Sequence, residues 1–188
     1  GIKPYTQNQW YWQYRGEPII LVGGSDDDNL FQWTGKRLTD HLDLLVSVGG
    51  NYLRNTMSDR DDGNVYAFKK IANDKYDLNQ WNEEYWNRLT FFLDETSKRN
   101  IIVQLTLWDQ FDIGSRNWKN HPWNPDRNIN IQPGAWNGRS DFYSTIDIDA
   151  KDLISYQQKY IDKILSISLN HDNVIYNINN ESSESGGW

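Results

Sequence analysis

The strongest constraint on the fold of this 188-residue chain is that apolar, strand-like segments alternate with amphipathic, helix-like segments. Apolar runs predict strands at 19–22, 51–56, 101–108 and 174–178, and the first of these is apolar throughout, as in a strand buried on both faces. Helical spacing of apolar residues predicts helices around 38–46, 81–93 and 153–165. This order is typical of right-handed βαβ units and a parallel sheet. We expect one α/β domain over residues 1–188, with a short β-hairpin at its N-terminus.

Two architectures share this alternation, the doubly wound sheet and the (β/α)₈ barrel. A phosphate-binding doubly wound sheet carries a glycine-rich turn after a strand. The only candidate is Gly23-Gly24-Ser25, and the three aspartates from Asp26 to Asp28 that follow it would repel a phosphate. The pattern therefore favours the TIM-barrel type, of which strands one to four and three helices are present.

Composition excludes several function classes. The formal charge of −7 and the lack of a basic run argue against a nucleic acid partner. The chain has no cysteine, which excludes disulfides, thiol nucleophiles and thiolate metal sites but leaves the compartment open. No apolar segment is long enough to span a membrane, so we expect no membrane partner. We expect no cofactor. We also expect no metal site at Asp26 to Asp28, because three consecutive aspartates cannot all face one ion.

Aromatic residues are unusually frequent, with ten tryptophans and eleven tyrosines. Such rings suit both packed cores and flat apolar ligands such as sugar faces. Trp81 and Trp86 fall in a predicted helix and are expected in the core. The tryptophans in or beside predicted loops are Trp33, Trp108, Trp118, Trp123 and Trp136, and each could either stack on a sugar or pack a loop down. The first four of them are the candidates for a sugar contact.

The segment of about forty residues after the third strand is too long for a plain connector, and long loops on rigid scaffolds tend to carry function. His121 lies in this segment before a proline. It could be a structural hydrogen-bonding residue or a substrate contact. Asp27, in the loop after the first strand, could reach a substrate hydroxyl or simply solvate its loop.

Two strand ends carry a resemblance to a known family. "GGNYLRN" at 49–55 and "YNINNE" at 176–181 resemble the strand-two and strand-four signatures of the clan A glycoside hydrolases, which are retaining (β/α)₈ barrel glycosidases that include the cellulase-like families. The resemblance implies that Arg54 closes strand two, that Asn180 contacts the sugar 2-hydroxyl and that Glu181 is the general acid/base. Trp108 and Asp109 close strand three, where barrel active sites lie.

A retaining glycosidase needs an acid to protonate the leaving oxygen and a second carboxylate about 5 Å away as nucleophile. Apolar surroundings and the charge of the nucleophile would raise the pKa of Glu181, and Arg54 would hold the nucleophile ionised. In the clan that nucleophile follows strand seven, whereas this chain reaches strand four. A further departure is that "LTLWDQFD" at 105–112 lacks a histidine that some members carry. We expect the front half of a catalytic domain, inactive by itself.

Two functions follow from this interpretation. The first is a retaining glycoside hydrolase that acts on a poly- or oligosaccharide, and the alternative is a non-catalytic carbohydrate-binding protein of barrel descent. Because a barrel cut after strand four leaves open sheet edges, we expect the remaining half of the barrel or a second chain against them. The function suggests a secreted or periplasmic location of bacterial type.

Overall fold

The computed structural model describes residues 1–114, 117–136, 138–143 and 151–181. At the N-terminus, strands β1 (Lys3–Pro4), β2 (Trp12–Tyr14) and β3 (Glu17–Ile19) form a small antiparallel sheet in that order. Arg15 and Gly16 both have positive φ angles, 49° and 93°, as a two-residue hairpin turn of the type favoured by strand twist requires. The predicted N-terminal hairpin is confirmed.

The chain then continues as α1 (Gly35–Ser47), β4 (Tyr52–Thr56), β5 (Phe68–Lys70), β6 (Tyr76–Trp81), α2 (Glu83–Lys98), β7 (Ile102–Asp109), α3 (Gln110–Gly114), α4 (Gly138–Tyr143), α5 (Lys151–Ser168) and β8 (Val174–Asn180). Strands β4, β7 and β8 form a parallel sheet with β7 in the middle. Helix α2 connects β4 to β7, and α5 connects β7 to β8. The predicted βαβ order is therefore confirmed.

The first barrel strand differs from its prediction. Ile19 pairs within the N-terminal sheet, and Gly23 alone bridges to β4, at Tyr52. Ile20 and Val22 are 56% and 55% exposed, so the expectation of a strand buried on both faces is wrong: none of the described elements covers these side chains. The backbone still follows β4 closely, because a Cβ on Gly23 would lie 1.8 Å from the Tyr52 carbonyl oxygen.

A hairpin lies between β4 and α2, in a segment for which the sequence pattern predicted neither a strand nor a helix. β5 and β6 pair antiparallel, and Trp81 ends β6 instead of opening a helix. The helix begins later because Asn82 caps it, its side-chain oxygen accepting the Glu84 N–H at 3.2 Å. The placement of Trp81 on a helix was therefore wrong. Its ring instead stacks on Phe68 at a centroid distance of 5.2 Å.

The core lies between the parallel sheet and its helices. Fully buried residues of the helices and strands interlock there: Leu38, Leu42, Leu53, Leu89, Phe92, Leu93, Val103, Leu105 and Ile164. Burying each such side chain contributes roughly 1.5–3 kcal/mol, so this layer fixes the sheet against the helices. The three helices predicted from apolar spacing are confirmed as α1, α2 and α5. Among the described helices, none combines the length and the apolarity that crossing a membrane requires.

Candidate active site

The carboxyl ends of the parallel strands bring together three of the predicted site residues, Arg54, Asn180 and Asp109. Arg54, on β4, donates from Nη1 to Oδ1 of Asn180, the last residue of β8, at 3.0 Å. The two residues are 126 positions apart in the sequence. Arg54 also approaches the Asp28 carboxylate, with 4.0 Å between Nη2 and Oδ2. The hydrogen bond from Arg54 to Oδ1 orients the amide of Asn180 so that its Nδ2 points away from Arg54.

Asp109 ends the middle strand and connects to the same amide. Its Oδ1 accepts the Phe111 N–H at 3.0 Å and lies 3.5 Å from Nδ2 of Asn180. Its Oδ2 accepts a short hydrogen bond from Arg60. The side chain of Asp109 is fully buried, and these donors replace the water that its carboxylate has lost.

Arg60, in the segment after β4, joins several acidic groups. It donates to Asp28 Oδ2 at 2.7 Å and to Ser58 Oγ at 2.8 Å, besides Asp109, and its Nη1 lies 3.8 Å from Asp112. Burial opposes its charge, but the hydrogen bond to Asp28 and the charges of Asp109 and Asp28 outweigh burial and raise the pKa of Arg60 above its ordinary value. It is therefore a permanent cation within this network.

Asp112, in the short helix α3, is the buried acid that this cation does not neutralise. Burial first, and then the charges of Asp59 and Asp109, raise the pKa of Asp112 well above its ordinary value. Its Oδ1 accepts the Ser58 hydroxyl proton at 2.9 Å. A cavity of about 20 Å³, roughly the room that one water needs, lies beside Asp59, Asp109 and Asp112.

His121 lies at the wall of that cavity and is buried. Its Nδ1 accepts the Trp123 N–H at 3.2 Å, so the proton of the neutral ring is on Nε2. That Nε2 faces Asp59 Oδ1 at 3.2 Å and donates to it. Both ring nitrogens of His121 are thus used in hydrogen bonds within the described structure, and a contact of this side chain with substrate stays a prediction.

Glu181 follows Asn180 directly and is exposed. Its φ is +53°, an uncommon conformation for a residue with a side chain. The backbone is held there by Gln110, whose Nε2 donates to the Glu181 carbonyl oxygen at 2.5 Å. The turn frees the Glu181 side chain from the strand while Asn180 stays buried. Ser182 and Glu184, which the sequence places beside it, lie outside the described residues.

Asp27 lies next to this network without touching Arg54. Its Oδ1 accepts the Asp28 N–H at 2.8 Å, and oxygens of Asp27, Asp28 and Asp61 lie within 4.8 Å of one another. Arg60 binds Asp28, and Asn29 Nδ2 donates to Asp61 at 2.7 Å, so protein groups already offset part of the repulsion. The role of Asp27 in binding a sugar stays a prediction.

The four candidate tryptophans are placed differently from one another. Trp33 is 7% exposed, with the Arg37 guanidinium over its ring at 3.6 Å. Trp108 and Trp123 are each 4% exposed and pack together with Phe142 and Tyr160. Trp118 is half-buried. Within the described structure, three of these rings therefore belong to the core, and sugar stacking by any of the four stays a prediction.

Sequence reasoning missed the residues that assemble the network: Asp28, Ser58, Asp59, Arg60 and Asp112. A signal was present, since "MSDRDD" at 57–62 directly follows the end of a barrel strand, where functional residues of this architecture concentrate. The signal does not reveal which acid the arginine binds. That depends on the approach of segments that are distant in the sequence.

Comparison with protein-family profiles and with curated proteins finds no match for the sequence. Solved structures do match. An endo-1,4-β-mannanase from Rhizomucor miehei superposes with a TM-score of 0.63 at 16% identity, over 94% of this chain and 48% of that enzyme. A glycoside hydrolase family 5 mannosidase from the same organism gives 0.65 at 15%, over 98% and 49%. An exo-β-1,4-mannosidase from an Opitutaceae bacterium gives 0.55 at 18%, over 92% and 27%.

The chain thus spans about half the length of the Rhizomucor enzymes that it matches. At these identities the likeness concerns the fold. The described chain has the fold of one half of such a (β/α)₈ barrel, and the resemblance stated from the strand-end motifs is confirmed at that level.

Proposed function

We propose that this chain is the front half of a retaining glycoside hydrolase domain with Glu181 as its general acid/base. The observation that supports it best is the 3.0 Å hydrogen bond between Arg54 and Asn180, directly beside the exposed Glu181. These residues come from β4 and β8 at the carboxyl ends of parallel strands, which is where barrel enzymes build their sites.

In this proposal Glu181 gives its proton to the glycosidic oxygen as the bond to the anomeric carbon breaks. A second carboxylate, supplied from outside the described residues, attacks that carbon and forms the covalent intermediate. Glu181 then takes a proton from the water that hydrolyses this intermediate. Asn180, with its Oδ1 held by Arg54, presents Nδ2 to the sugar 2-hydroxyl.

The partner that completes the site is the remaining half of the barrel. Tyr176 and Ile178 on β8 are 39% and 62% exposed, and β8 pairs on one side only within the described residues. A further parallel strand would satisfy the free backbone groups of that edge, and the helices of the remaining half would cover side chains on the face of the sheet.

The substrate is a poly- or oligosaccharide. Since the matching structures are named mannanases and mannosidases, β-1,4-linked mannan is the first glycan to test. A polymeric substrate of this kind suits a secreted or periplasmic enzyme of bacterial type.

One observation favours a second candidate, a carbohydrate-binding protein that does not hydrolyse. Asp28 and Asp109, the carboxylates that contact Arg54 and Asn180, are both bound by Arg60. Among the described residues, neither is therefore available as the second carboxylate.

The test joins this chain to the second half of its barrel and measures turnover of aryl β-mannosides together with tryptophan fluorescence during titration with manno-oligosaccharides. Glu181→Gln should abolish turnover and keep binding, while Glu17→Gln, an exposed acid on the N-terminal sheet, should change neither. Turnover that survives in Glu181→Gln contradicts the assignment of the acid. Sugar binding without turnover in the complete wild-type domain favours the second candidate.

A further inference from the structure

A separate pocket of about 370 Å³ lies outside the network of Arg60. Its walls are formed by Tyr66, Lys70, Asp74, Tyr76, Asn120 and Arg127. They come from the hairpin after β4 and from the segment after β7, so the pocket is on the carboxyl-end side of the sheet. Its volume is within the roughly 300–1,000 Å³ of small-ligand sites. We call it the outer pocket.

The walls of the outer pocket are fixed to each other by hydrogen bonds between its two segments. The Tyr76 carbonyl accepts the Ile129 N–H at 3.0 Å. Lys75 Nζ donates to the Asp126 carbonyl at 2.8 Å, and the Leu78 N–H donates to Asn130 Oδ1 at 2.6 Å. The hairpin is thus held in place before any ligand arrives, which lowers the entropic cost of binding.

The polar groups that line the pocket have unused hydrogen-bonding capacity. Neither the Tyr66 nor the Tyr76 hydroxyl has a hydrogen-bond partner within the described residues. Burial, and next the charge of Asp59, raises the pKa of Tyr76 to about 12, so its hydroxyl keeps its proton and can donate. Arg127 uses Nε on the Lys119 carbonyl, at 2.5 Å, and makes no salt bridge to a described residue.

The mixed polar groups of the pocket suit a polyhydroxylated ligand better than a simple anion, which would need a cluster of cations. Lys70 is paired with Asp74 at 2.8 Å, which leaves Arg127 as the only unpaired charge among the six lining residues. The Asp74 carboxylate repels anions but accepts hydrogen bonds from hydroxyls. Phenol, carboxylate, amide and guanidinium groups together provide the mixed donors and acceptors that sugar hydroxyls need.

The outer pocket is connected to the candidate active site through His121. The Tyr66 ring packs edge-on against His121 at 5.3 Å, and His121 donates to Asp59 at the wall of the inner cavity. We propose that the outer pocket is a sugar-binding subsite that holds a unit of the glycan chain remote from the bond that Glu181 would cleave. This inference rests on the proposed function and extends it to a second binding position.

Because all six lining residues belong to this chain, the chain alone suffices for the test. Calorimetry with mannohexaose, cellohexaose and xylohexaose should find a hexaose that binds. Arg127→Gln and Tyr76→Phe should each lower the affinity of the chain for that hexaose about tenfold. Lys69→Gln is the matched control, since Lys69 is next to Lys70 on the same strand but pairs with Gln80. On binding, amides of 66–76 and 120–127 should exchange more slowly with solvent.

The outcomes separate the two proposals. If a hexaose binds the wild-type chain and both variants with the same affinity, the outer subsite is overturned and the proposed function stands. Competition by inorganic phosphate at similar affinity also overturns it, by identifying an anion site. A wild-type chain that binds none of the three hexaoses overturns the outer subsite alone, because the proposed active site needs the second half of the barrel and is tested on the joined domain.

Discussion

Arg60, from the segment after β4, donates a hydrogen bond to the buried carboxylate of Asp109, the last residue of β7. The same guanidinium binds Asp28 on its other side. The Arg60 side chain thus joins three parts of the chain: its own segment after β4, the loop that contains Asp28, and the end of β7. Since Asp109 also contacts Asn180, the position of the predicted sugar-binding amide depends on an arginine that contacts neither Asn180 nor Glu181 in the described structure.

The first prediction is that Arg60→Met destabilises the chain by about 3–5 kcal/mol at neutral pH, because it leaves the buried Asp109 carboxylate without its cation. Urea unfolding followed by tryptophan fluorescence measures the change. Lys36→Met is the control: Lys36 is 84% exposed and pairs with Asp40 on the surface of α1, so its loss should cost less than about 1 kcal/mol. Equal effects of the two substitutions would contradict the role of Arg60.

The second prediction concerns the pH dependence of stability through Asp112. Because the folded state raises its pKa, the folded chain retains a proton that the unfolded chain releases near its ordinary value of about 3.9. The contribution of Asp112 is therefore complete below about pH 4 and is lost as the pH rises toward the raised pKa. The Asp112→Asn variant keeps an oxygen for Ser58 and cannot ionise. The free energy of unfolding of the variant minus that of the wild type should therefore increase as the pH rises from about 4 toward the raised pKa of Asp112.

Urea unfolding at pH 4 and pH 7.5 provides the comparison for Asp112. The exposed acid Asp162, on α5, gives the control substitution Asp162→Asn, whose difference from the wild type should be the same at both pH values. If the difference for Asp112→Asn is also independent of pH, Asp112 is ionised to the same extent in both states and its raised pKa is refuted.

Much of the fold could be predicted because its signals are local. The spacing of Leu38 and Leu42, or of Leu89 and Phe92, places apolar residues on one helix face whatever the partner is. The hairpin at Tyr76 was missed because its stability comes from contacts with residues around Asn128 to Asn130, which no local pattern encodes.

The candidate site was predictable only in part, for a related reason. Asn180 and Glu181 follow a strand in a recognisable motif, and so does Arg54. The carboxylates that surround them were ambiguous because the sequence has many aspartates after strand ends. Which of Asp27 and Asp28 meets Arg60 depends on the direction of each side chain in a loop, and the structure puts Asp28 there.

The third prediction tests a buried hydrogen bond that links α2 to α5. The hydroxyls of Tyr85 and Tyr160 are 2.7 Å apart and both residues are buried. Removing one hydroxyl leaves the other without its partner, so Tyr85→Phe or Tyr160→Phe alone should cost about 1–3 kcal/mol. The double variant should cost less than the sum of the two, because no hydroxyl is then left unsatisfied. Strictly additive free energies of unfolding would contradict the coupling.

The fourth prediction concerns the open edge of the parallel sheet. β8 has no strand on its outer side among the described residues, and Ile178 on it is 62% exposed. A free strand edge with apolar side chains promotes association, so the chain alone should self-associate as its concentration rises. Ile178→Lys should shift sedimentation toward the monomer, because it places a charge on that edge. Leu169→Lys is the control, since Leu169 is 70% exposed just beyond the end of α5 and is not part of β8. If both lysine substitutions shift sedimentation toward the monomer equally, net charge and not the β8 edge controls association. If neither substitution shifts it, the β8 edge is not the contact.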